Sequence, residues 1–268
     1  MDKYEKLNRL KEYLKEKGSV AVAFSGGVDS AFLLKVAQDT LGKNAAAITA
    51  RSELVSEREW EDARAFCREN GIIHFAFDFD ACNTEAFMNN PKNRCYLCKT
   101  EIFSNIIRIA KSNGFAYVAE GSNMDDLGDY RPGMKAIEEL KVLSPLREAG
   151  FYKAEIRELS KEMGLPTWDK PSMACLASRF VYGEAITEEK LKMVSTAEQF
   201  LLDKGFRQFR VRIHGDLARI EVLPEDLDRF SDPELRRAVT KACKEAGFSY
   251  VTLDLQGYRT GSMNEVLF

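Results

Sequence analysis

The feature that most constrains this fold is a glycine-rich turn between a short apolar segment and a helical pattern. The apolar segment is at residues 19–24, the helical pattern is at residues 29–41, and Ser-Gly-Gly-Val-Asp-Ser at residues 25–30 joins them. Gly26 and Gly27 let the backbone approach an anion closely and adopt a positive φ. The start of the helix adds backbone N–H groups and the positive end of the helix dipole. The sequence therefore predicts a phosphate-binding turn, to which the hydroxyls of Ser25 and Ser30 also contribute.

Strands and helices alternate along the first part of the chain. The predicted strands after the turn are at residues 45–50, 72–77, 115–119 and, as a short last one, 141–143. The predicted helices are at residues 1–17, 29–41, 56–70, 99–113 and 153–163, each ended by a glycine. This alternation predicts an α/β fold at residues 1–182, in which a parallel sheet has helices on both faces.

The pattern changes after Tyr182. The predicted helices there are at residues 187–204 and 232–246, and the predicted strands are at residues 207–213, 218–223 and 250–255. A turn at residues 214–216 joins the first two strands. Residues 183–268 are therefore predicted to form a small α+β domain that binds substrate or mediates oligomerisation.

Composition narrows the class of protein. A 45% hydrophobic and 30% charged composition is ordinary for a globular chain. The formal net charge of -3 argues against a large nucleic-acid surface. No apolar run approaches the ~18 residues of a membrane helix, and the charged N-terminus is unlike a signal peptide. We therefore expect a cytoplasmic protein with reduced cysteines, which binds neither nucleic acid nor membrane.

Three cysteines suggest metal or sulfur chemistry. Cys95 and Cys98 form a C-x-x-C pattern before a predicted helix, and Cys175 lies far downstream. Zinc would need a fourth protein ligand, whereas three thiolates suit a [4Fe-4S] cluster with one open iron that could bind sulfide. A redox pair at Cys95 and Cys98, or ordinary buried thiols, are the alternatives. The cysteines expected to be structural are Cys67, Cys82 and Cys243, each on a segment predicted to be helical.

Three arginines are candidates for anion binding. Arg179 follows Cys175 closely and could lower a thiol pKa or hold a phosphate, or it could form a surface salt bridge. Arg210 and Arg212 alternate along a predicted strand and so project to one face. Such a guanidinium pair fits phosphate and carboxylate groups, although a solvated strand face is an equally good interpretation.

Several carboxylates have two interpretations each. Asp29, within the glycine-rich turn, could hold magnesium or cap the helix. Glu198 and Glu221 could bind metal, although isolated carboxylates are more often surface charges. Asp125 and Asp126 follow a predicted strand and could contact nucleotide or cap a turn.

The turn at residues 25–30 resembles the loop of the PP-loop ATP pyrophosphatases and lacks the Gly-Lys-Ser/Thr of the mononucleotide P-loop. Other segments resemble the LarE sulfur transferases of nickel-pincer nucleotide cofactor biosynthesis. These segments are residues 22–30, 49–52, 120–126, 129–133, 171–179 and 210–212. The Pro-Ser-Met-Ala-Cys-Leu-Ala-Ser-Arg segment at residues 171–179 is the most specific, and the resemblance extends over nearly the whole chain.

The resemblance implies an activity. ATP, with Mg²⁺, adenylates each carboxylate of pyridinium-3,5-biscarboxylic acid mononucleotide, and sulfur then replaces AMP to give a thiocarboxylate. In some members the cysteine that matches Cys175 gives up its own sulfur and becomes dehydroalanine. Because Cys95 and Cys98 are also present, this chain is similar to the three-cysteine branch, where a cluster carries the sulfide. A homo-oligomer (trimer or hexamer) and a downstream nickel-insertion protein are the implied partners.

These arguments assign roles to individual residues. The predicted catalytic residues are Cys175, Ser178 and Arg179, and the predicted metal ligands are Cys95, Cys98, Cys175 and Asp29. The residues predicted to bind ATP or substrate are Ser25, Gly26, Gly27, Val28, Asp29, Ser30, Ala50, Arg51, Gly121, Asp125, Arg210 and Arg212. The alternative functions are a tRNA thiolation enzyme, an amide-forming adenylating synthetase and a nucleotide-binding sensor.

Overall fold

The computed structural model describes residues 1–127, 132–171, 174–259 and 261–263. The chain forms two compact units. The first comprises Met1–Ser52, Glu57–Phe79 and Asn93–Ser172, and the second comprises Glu53–Ser56, Asp80–Lys92 and Met173–Phe268. The predicted domain boundary between residues 182 and 183 stays a prediction.

The secondary structure follows the predicted alternation. The helices are α1 (Lys3–Lys17), α2 (Val28–Leu41), α3 (Glu57–Glu69), α4 (Glu85–Met88), α5 (Arg94–Ser112), α6 (Pro132–Glu139), α7 (Pro145–Glu148), α8 (Lys153–Glu162), α9 (Glu188–Asp203) and α10 (Pro233–Glu245). The strands are β1 (Val20–Ala23), β2 (Ala45–Arg51), β3 (Ile73–Asp78), β4 (Tyr117–Ala119), β5 (Phe209–His214), β6 (Leu217–Val222) and β7 (Tyr250–Leu253). Short 3₁₀ turns occur at Gly42–Asn44, Met124–Asp126, Leu176–Arg179 and Pro224–Ser231.

The first unit is built on a parallel sheet in the order β3-β2-β1-β4. Successive side chains of a strand point to opposite faces. Val20 and Val22 therefore join a core with residues of α1, α2, α3 and α8, whereas Ala21 joins a second core with residues of α5 and α6. The predicted α/β fold with helices on both faces is confirmed.

The strand order places a ligand-binding position at β1. This strand pairs with β2 on one side and with β4 on the other. From β1, the sheet is therefore extended on one side by β2 and β3 and on the other side by β4. Open α/β sheets bind ligands at the carboxyl end of a strand where the order reverses in this way. The glycine-rich turn begins directly after this end of β1.

The second unit contains a three-stranded sheet in the order β5-β6-β7. β5 and β6 are antiparallel, and β6 and β7 are parallel. α9 and α10 supply buried apolar residues such as Val194 and Val239. The predicted small α+β region is thus present as a second sheet with its own helices.

Three details differ from the sequence prediction. α5 begins at Arg94, so Cys95 and Cys98 lie on its first turn rather than before the helix. Residues 141–143 contribute only an isolated bridge from Leu143 to Ala119, because Lys141, with a positive φ of 55°, still belongs to the turn after α6. The helices α4, α6 and α7 were not predicted. Within the described residues, no helix combines the length and the apolar character needed to cross a membrane.

Candidate functional site

The glycine-rich turn forms a cradle at the end of β1. Gly26 has a φ of 72°, a conformation that glycine adopts without the strain other residues incur. Gly27 precedes α2 and offers no capping side chain to the N–H groups of the first helical turn. These N–H groups and the helix dipole are therefore available for an anion, as the sequence predicted.

The two serines of the turn bond within it. The Oγ atoms of Ser25 and Ser30 are 3.2 Å apart, and Ser30 Oγ donates to the Gly27 carbonyl at 3.1 Å. Ser25 is exposed, whereas Ser30 is buried. Ser30 therefore stabilises the shape of the turn, and Ser25 is the serine placed to reach a phosphate.

The segment after β4 closes one side of the cradle. A Cβ atom on Gly121 would lie 3.0 Å from Ser30 N and 3.3 Å from Asp29 Cβ, so only glycine permits this approach without a shift. The buried carboxylate of Glu120 accepts from Ser122 Oγ at 2.7 Å and from Ser144 Oγ at 2.6 Å. These bonds hold the segment in shape and tie it to Ser144, at the start of α7.

Asp29 is bound by two residues that the sequence analysis missed. Lys153 Nζ, on the first residue of α8, forms an ion pair with Asp29 Oδ2, and Asn123 Nδ2 donates to Asp29 Oδ1 at 3.3 Å. Asp125 Oδ2 accepts the backbone N–H of Lys153 at 2.7 Å, and Asp126 Oδ2 accepts that of Asn123 at 2.9 Å. Asp126 thus caps its own turn, as one interpretation predicted, whereas the side chain of Asp125 holds the first residue of α8.

A second lysine that the sequence analysis missed lies beside the turn. Lys170 Nζ is 3.4 Å from the Gly26 carbonyl oxygen and 3.4 Å from Asp62 Oδ2. No local sequence pattern signals this contact, because its partners are far apart in the chain.

The carboxyl end of β2 carries Ala50 and Arg51. The Arg51 guanidinium is 3.4 Å from Glu57 Oε2 and lies 5.8 Å from the centre of the Trp60 ring. The side chain is about half exposed. Arg51, predicted to bind ATP or substrate, therefore has an ion pair and an aromatic neighbour at this strand end.

Cys95 and Cys98 are one helical turn apart at the start of α5, so their side chains lie on one face of the helix. Cys95 is exposed and Cys98 is buried. The backbone of α6 packs close to this turn, where a Cβ on Gly133 would lie only 2.7 Å from Lys99 Cδ. Among the residues that the structure describes, no three Cys, His, Asp or Glu side chains form a group able to hold a metal ion.

In the second unit, Cys175 is exposed and precedes the 3₁₀ turn Leu176–Arg179. Arg179 is fully buried and donates from Nε and Nη2 to the two Glu198 oxygens, at 2.9 and 2.8 Å. Its Nη1 donates to the carbonyls of Ala174 and Cys175 at 2.6 and 3.2 Å, and to Ser178 Oγ at 3.0 Å. Arg179 is thus placed to fix the backbone that carries Cys175, and its salt bridge is buried rather than on the surface.

Arg212 makes contacts of the same kind as Arg179, with a buried carboxylate and with the backbone of the 3₁₀ turn. Its Nε and Nη2 donate to Glu221 Oε2 at 3.0 and 2.8 Å, and its Nη1 donates to the Ser178 carbonyl at 3.0 Å. Arg210 is buried and lies 5.2 Å from the Tyr258 ring centre. Burial, together with the charge of Arg179, lowers the pKa of Arg210 to about 10, so it remains a cation at neutral pH.

These contacts decide two of the open interpretations. Glu198 and Glu221 are 4% and 0% exposed, so the interpretation as surface charges is wrong. Arg210 and Arg212 are each 5% exposed, so the solvated strand face is wrong as well. The structure brings Ser178, Arg179, Arg210 and Arg212 together around the segment that carries Cys175.

The remaining cysteines have the properties expected of structural thiols. All six cysteines lie in the described part of the chain, and none of them is in a disulfide. Burial raises the pKa of Cys67 to about 12 and that of Cys243 to about 11. Burial, reinforced by Glu53, raises the pKa of Cys82 to about 11. Cys82 lies in a turn rather than on the predicted helix.

Some residues of the matching segments lie outside the described part of the chain. These are Asp129, Tyr130 and Arg131 of the segment at residues 129–133, and Ser172 and Met173 of the segment at residues 171–179.

Comparison with known proteins places this architecture in a family. A family model described as NAD synthase matches residues 4–110. Pyridinium-3,5-bisthiocarboxylic acid mononucleotide synthase of Lactiplantibacillus plantarum is 40% identical over 259 residues, which is 95% of this chain and 92% of that protein. Uncharacterized protein slr1717 of Synechocystis sp. is 44% identical over 98% of each chain. Uncharacterized protein MJ0830 of Methanocaldococcus jannaschii is 31% identical over 96% of this chain and 98% of its own.

The similarity extends through both compact units, because the matched region of the synthase spans nearly all of either chain. The NAD synthase match coincides with the part that contains the phosphate turn and most of the parallel sheet. An enzyme of this kind uses ATP and a small nucleotide substrate. The chain belongs to the LarE family of ATP-dependent sulfur transferases, within the PP-loop ATP pyrophosphatases.

Proposed function

We propose that this protein is a pyridinium-3,5-bisthiocarboxylic acid mononucleotide synthase. The observation that carries the proposal is the 40% identity to that enzyme over 95% of this chain. The glycine-rich turn at the carboxyl end of β1 supports it, because the turn has the geometry of a site for the phosphates of ATP.

The first chemical step is adenylation. A substrate carboxylate oxygen attacks the α-phosphorus of ATP, the bond to the bridging oxygen breaks, and pyrophosphate leaves. The N–H groups at the start of α2 stabilise the negative charge on the departing group, and the Lys153 ammonium orients Asp29. Asp29 supplies the carboxylate oxygens that magnesium prefers, and a bound magnesium ion would neutralise phosphate charge.

The second step replaces AMP by sulfur. A sulfur nucleophile attacks the acyl carbon, and the bond to the AMP oxygen breaks. Cys175 is the proposed nucleophile of the chain itself, since it is exposed and its backbone is fixed by Arg179. We assign Arg210 and Arg212 to the phosphate or carboxylates of the substrate, on the strength of their charge and their place beside this segment.

The sulfur source has two candidates. The first is a [4Fe-4S] cluster, for which Cys95 and Cys98, on one face of α5, and Cys175 are the three candidate thiol ligands. A cluster held by these three residues would present an open iron that can bind sulfide. The second candidate is Cys175 alone: its sulfur would form a thioester with the substrate, and loss of the Cα proton would break the Cβ–S bond, leaving dehydroalanine and the thiocarboxylate. A cytoplasmic location, a trimeric or hexameric assembly and a nickel-insertion protein as the next partner complete the proposal.

The test uses the purified protein, MgATP, pyridinium-3,5-biscarboxylic acid mononucleotide and sulfide, under anaerobic conditions. We expect pyrophosphate release that depends on the substrate, and a product in which sulfur replaces oxygen. Cys175→Ala should lose thiocarboxylate formation but keep pyrophosphate release, and Cys82→Ala serves as the matched control. Product formed with ammonia in place of sulfide, or on tRNA, would overturn the proposal.

Iron analysis separates the two sulfur sources. About four iron atoms per chain, lost in Cys95→Ala, would establish the cluster. Iron-free protein, combined with a Cys175 that has lost one sulfur after turnover, would establish the sacrificial route.

A further inference from the structure

The cations beside the phosphate turn are not equivalent. Lys153 forms a close ion pair with Asp29, so its positive charge is already balanced by a carboxylate. Lys170 has only longer contacts, at 3.4 Å to the Gly26 carbonyl oxygen and 3.4 Å to Asp62 Oδ2. A good charge-assisted hydrogen bond measures about 2.7–2.9 Å. The Lys170 ammonium is therefore held beside the turn without a tight partner.

The Asp62 carboxylate, which faces Lys170, binds the Lys170 ammonium only weakly. The Asp62 side chain is 56% exposed, whereas the Lys170 side chain is 22% exposed. An exposed carboxylate at this distance is well solvated and contributes little to holding the ammonium. A phosphate bound at the turn carries more negative charge and would attract the ammonium more strongly than Asp62 does.

The backbone that carries Lys170 is fixed by a partly buried guanidinium contact. Arg157, on α8, donates from Nη1 to the Trp168 carbonyl and from Nη2 to the Lys170 carbonyl, each at 2.7 Å. Residues 167–170 form a separate turn, which is closed by the Lys170 N–H donating to the Thr167 carbonyl at 3.1 Å. A lysine side chain on a fixed backbone loses less freedom when it binds an anion.

The charges of ATP require such a group. A helix N-terminus supplies the equivalent of roughly half a positive charge, and a bound Mg²⁺ ion would neutralise only part of the charge of a triphosphate. We infer that Lys170 is a further phosphate-binding residue of the adenylation site, which contacts the β or γ phosphate of ATP, and that Arg157 is its positioning residue. This inference rests on the proposed function, since it assumes that the turn binds ATP.

The test compares ATP with AMP, which lacks the β and γ phosphates. Equilibrium dialysis with labelled nucleotide, without the second substrate, measures both dissociation constants. We expect Lys170→Met to weaken ATP binding about tenfold, as for the loss of one charged hydrogen bond, and to leave AMP binding unchanged. Lys170→Arg should restore part of the affinity. Lys43→Met, in the turn after α2, is the matched control and should bind both nucleotides as the wild type does.

Two further variants separate a phosphate contact from a structural role. Asp62→Asn removes only a weak competitor, so ATP should bind at least as tightly as to the wild type while AMP binding stays the same. Arg157→Met should weaken ATP binding by less than Lys170→Met does, and Arg157→Lys should recover part of the loss. A structural role would predict that ATP and AMP binding weaken together in Lys170→Met and Asp62→Asn.

The outcomes distinguish the two proposals. A wild-type protein that binds no ATP overturns the proposed function together with this inference. Wild-type protein that binds ATP, with Lys170→Met indistinguishable from it, overturns only the role of Lys170. Equal losses for ATP and AMP would do the same.

Discussion

The buried ion pair between Arg179 and Glu198 allows a quantitative test of how the Cys175 segment is held. Glu198 accepts three hydrogen bonds, from Arg179 Nε at 2.9 Å, from Arg179 Nη2 at 2.8 Å and from the Val211 N–H at 2.9 Å. The side chains of the pair are 1% and 5% exposed. Glu198→Ala would therefore leave a guanidinium buried without its counter-charge, close to the further cation of Arg210.

The expected cost follows from this burial. Removal of one partner of a buried ion pair typically costs about 3–5 kcal/mol. We expect Glu198→Ala to lower the free energy of unfolding by that amount, measured by urea denaturation followed by circular dichroism. Arg179 also donates hydrogen bonds to the carbonyls of Ala174 and Cys175. In the folded Glu198→Ala variant, the Cys175 thiol should therefore react with alkylating agents at a different rate than in the wild type.

Two controls define the result. Glu158→Ala removes an exposed partner of Lys3 and should change the free energy of unfolding far less. The double variant Arg179→Met with Glu198→Met removes both charges and should be more stable than Glu198→Ala. A loss in Glu198→Ala no larger than that in Glu158→Ala would refute the reasoning, as would a double variant less stable than the single one.

Three further predictions concern single residues. Exposed Cys95 should be alkylated by iodoacetamide in native, metal-free protein, whereas Cys67 should stay unmodified, because burial raises its pKa to about 12. Burial lowers the pKa of His74, so below about pH 6.5 the unfolded protein binds more protons than the folded protein. The free energy of unfolding should therefore decrease as the pH is lowered through this range. His74→Gln should flatten this part of the pH dependence in urea titrations. Gly26→Ala forces a side chain into a φ of 72°, which should cost roughly 1–2 kcal/mol of stability and weaken ATP binding.

Each of these has a contrary outcome. Equal alkylation of Cys95 and Cys67 would contradict the burial of Cys67. An unchanged pH dependence in His74→Gln would show that another group titrates in that range. A Gly26→Ala protein with wild-type stability and ATP affinity would show that the turn tolerates a side chain.

Local sequence patterns were sufficient for most of the fold. Apolar runs bounded by glycine marked the strands of the parallel sheet, and the helices ended close to the predicted residues because a glycine follows them. The start of α5 was misplaced, since the polar and cysteine residues of its first turn do not have the apolar spacing on which the prediction relied. α6 was missed because it has only 8 residues, too few to show a clear helical period in the sequence.

The phosphate turn was determined by the sequence itself, because its function depends on backbone conformation and on neighbours within the same six positions. Glycine at position 26 permits the positive φ, and the helix that follows supplies the N–H groups whatever its partners are. The resemblance to LarE sulfur transferases was likewise readable from short segments.

The roles of charged side chains were decided only by the tertiary structure. Sequence spacing left Arg179, Glu198 and Glu221 as solvent-exposed groups or ligands, whereas the fold buries them in ion pairs beneath the segment of Cys175. Lys153 and Lys170 acquired a role only because folding brings them to a turn distant in the chain. A side chain's charge and burial depend on partners from other elements, and no local pattern encodes which partners those will be.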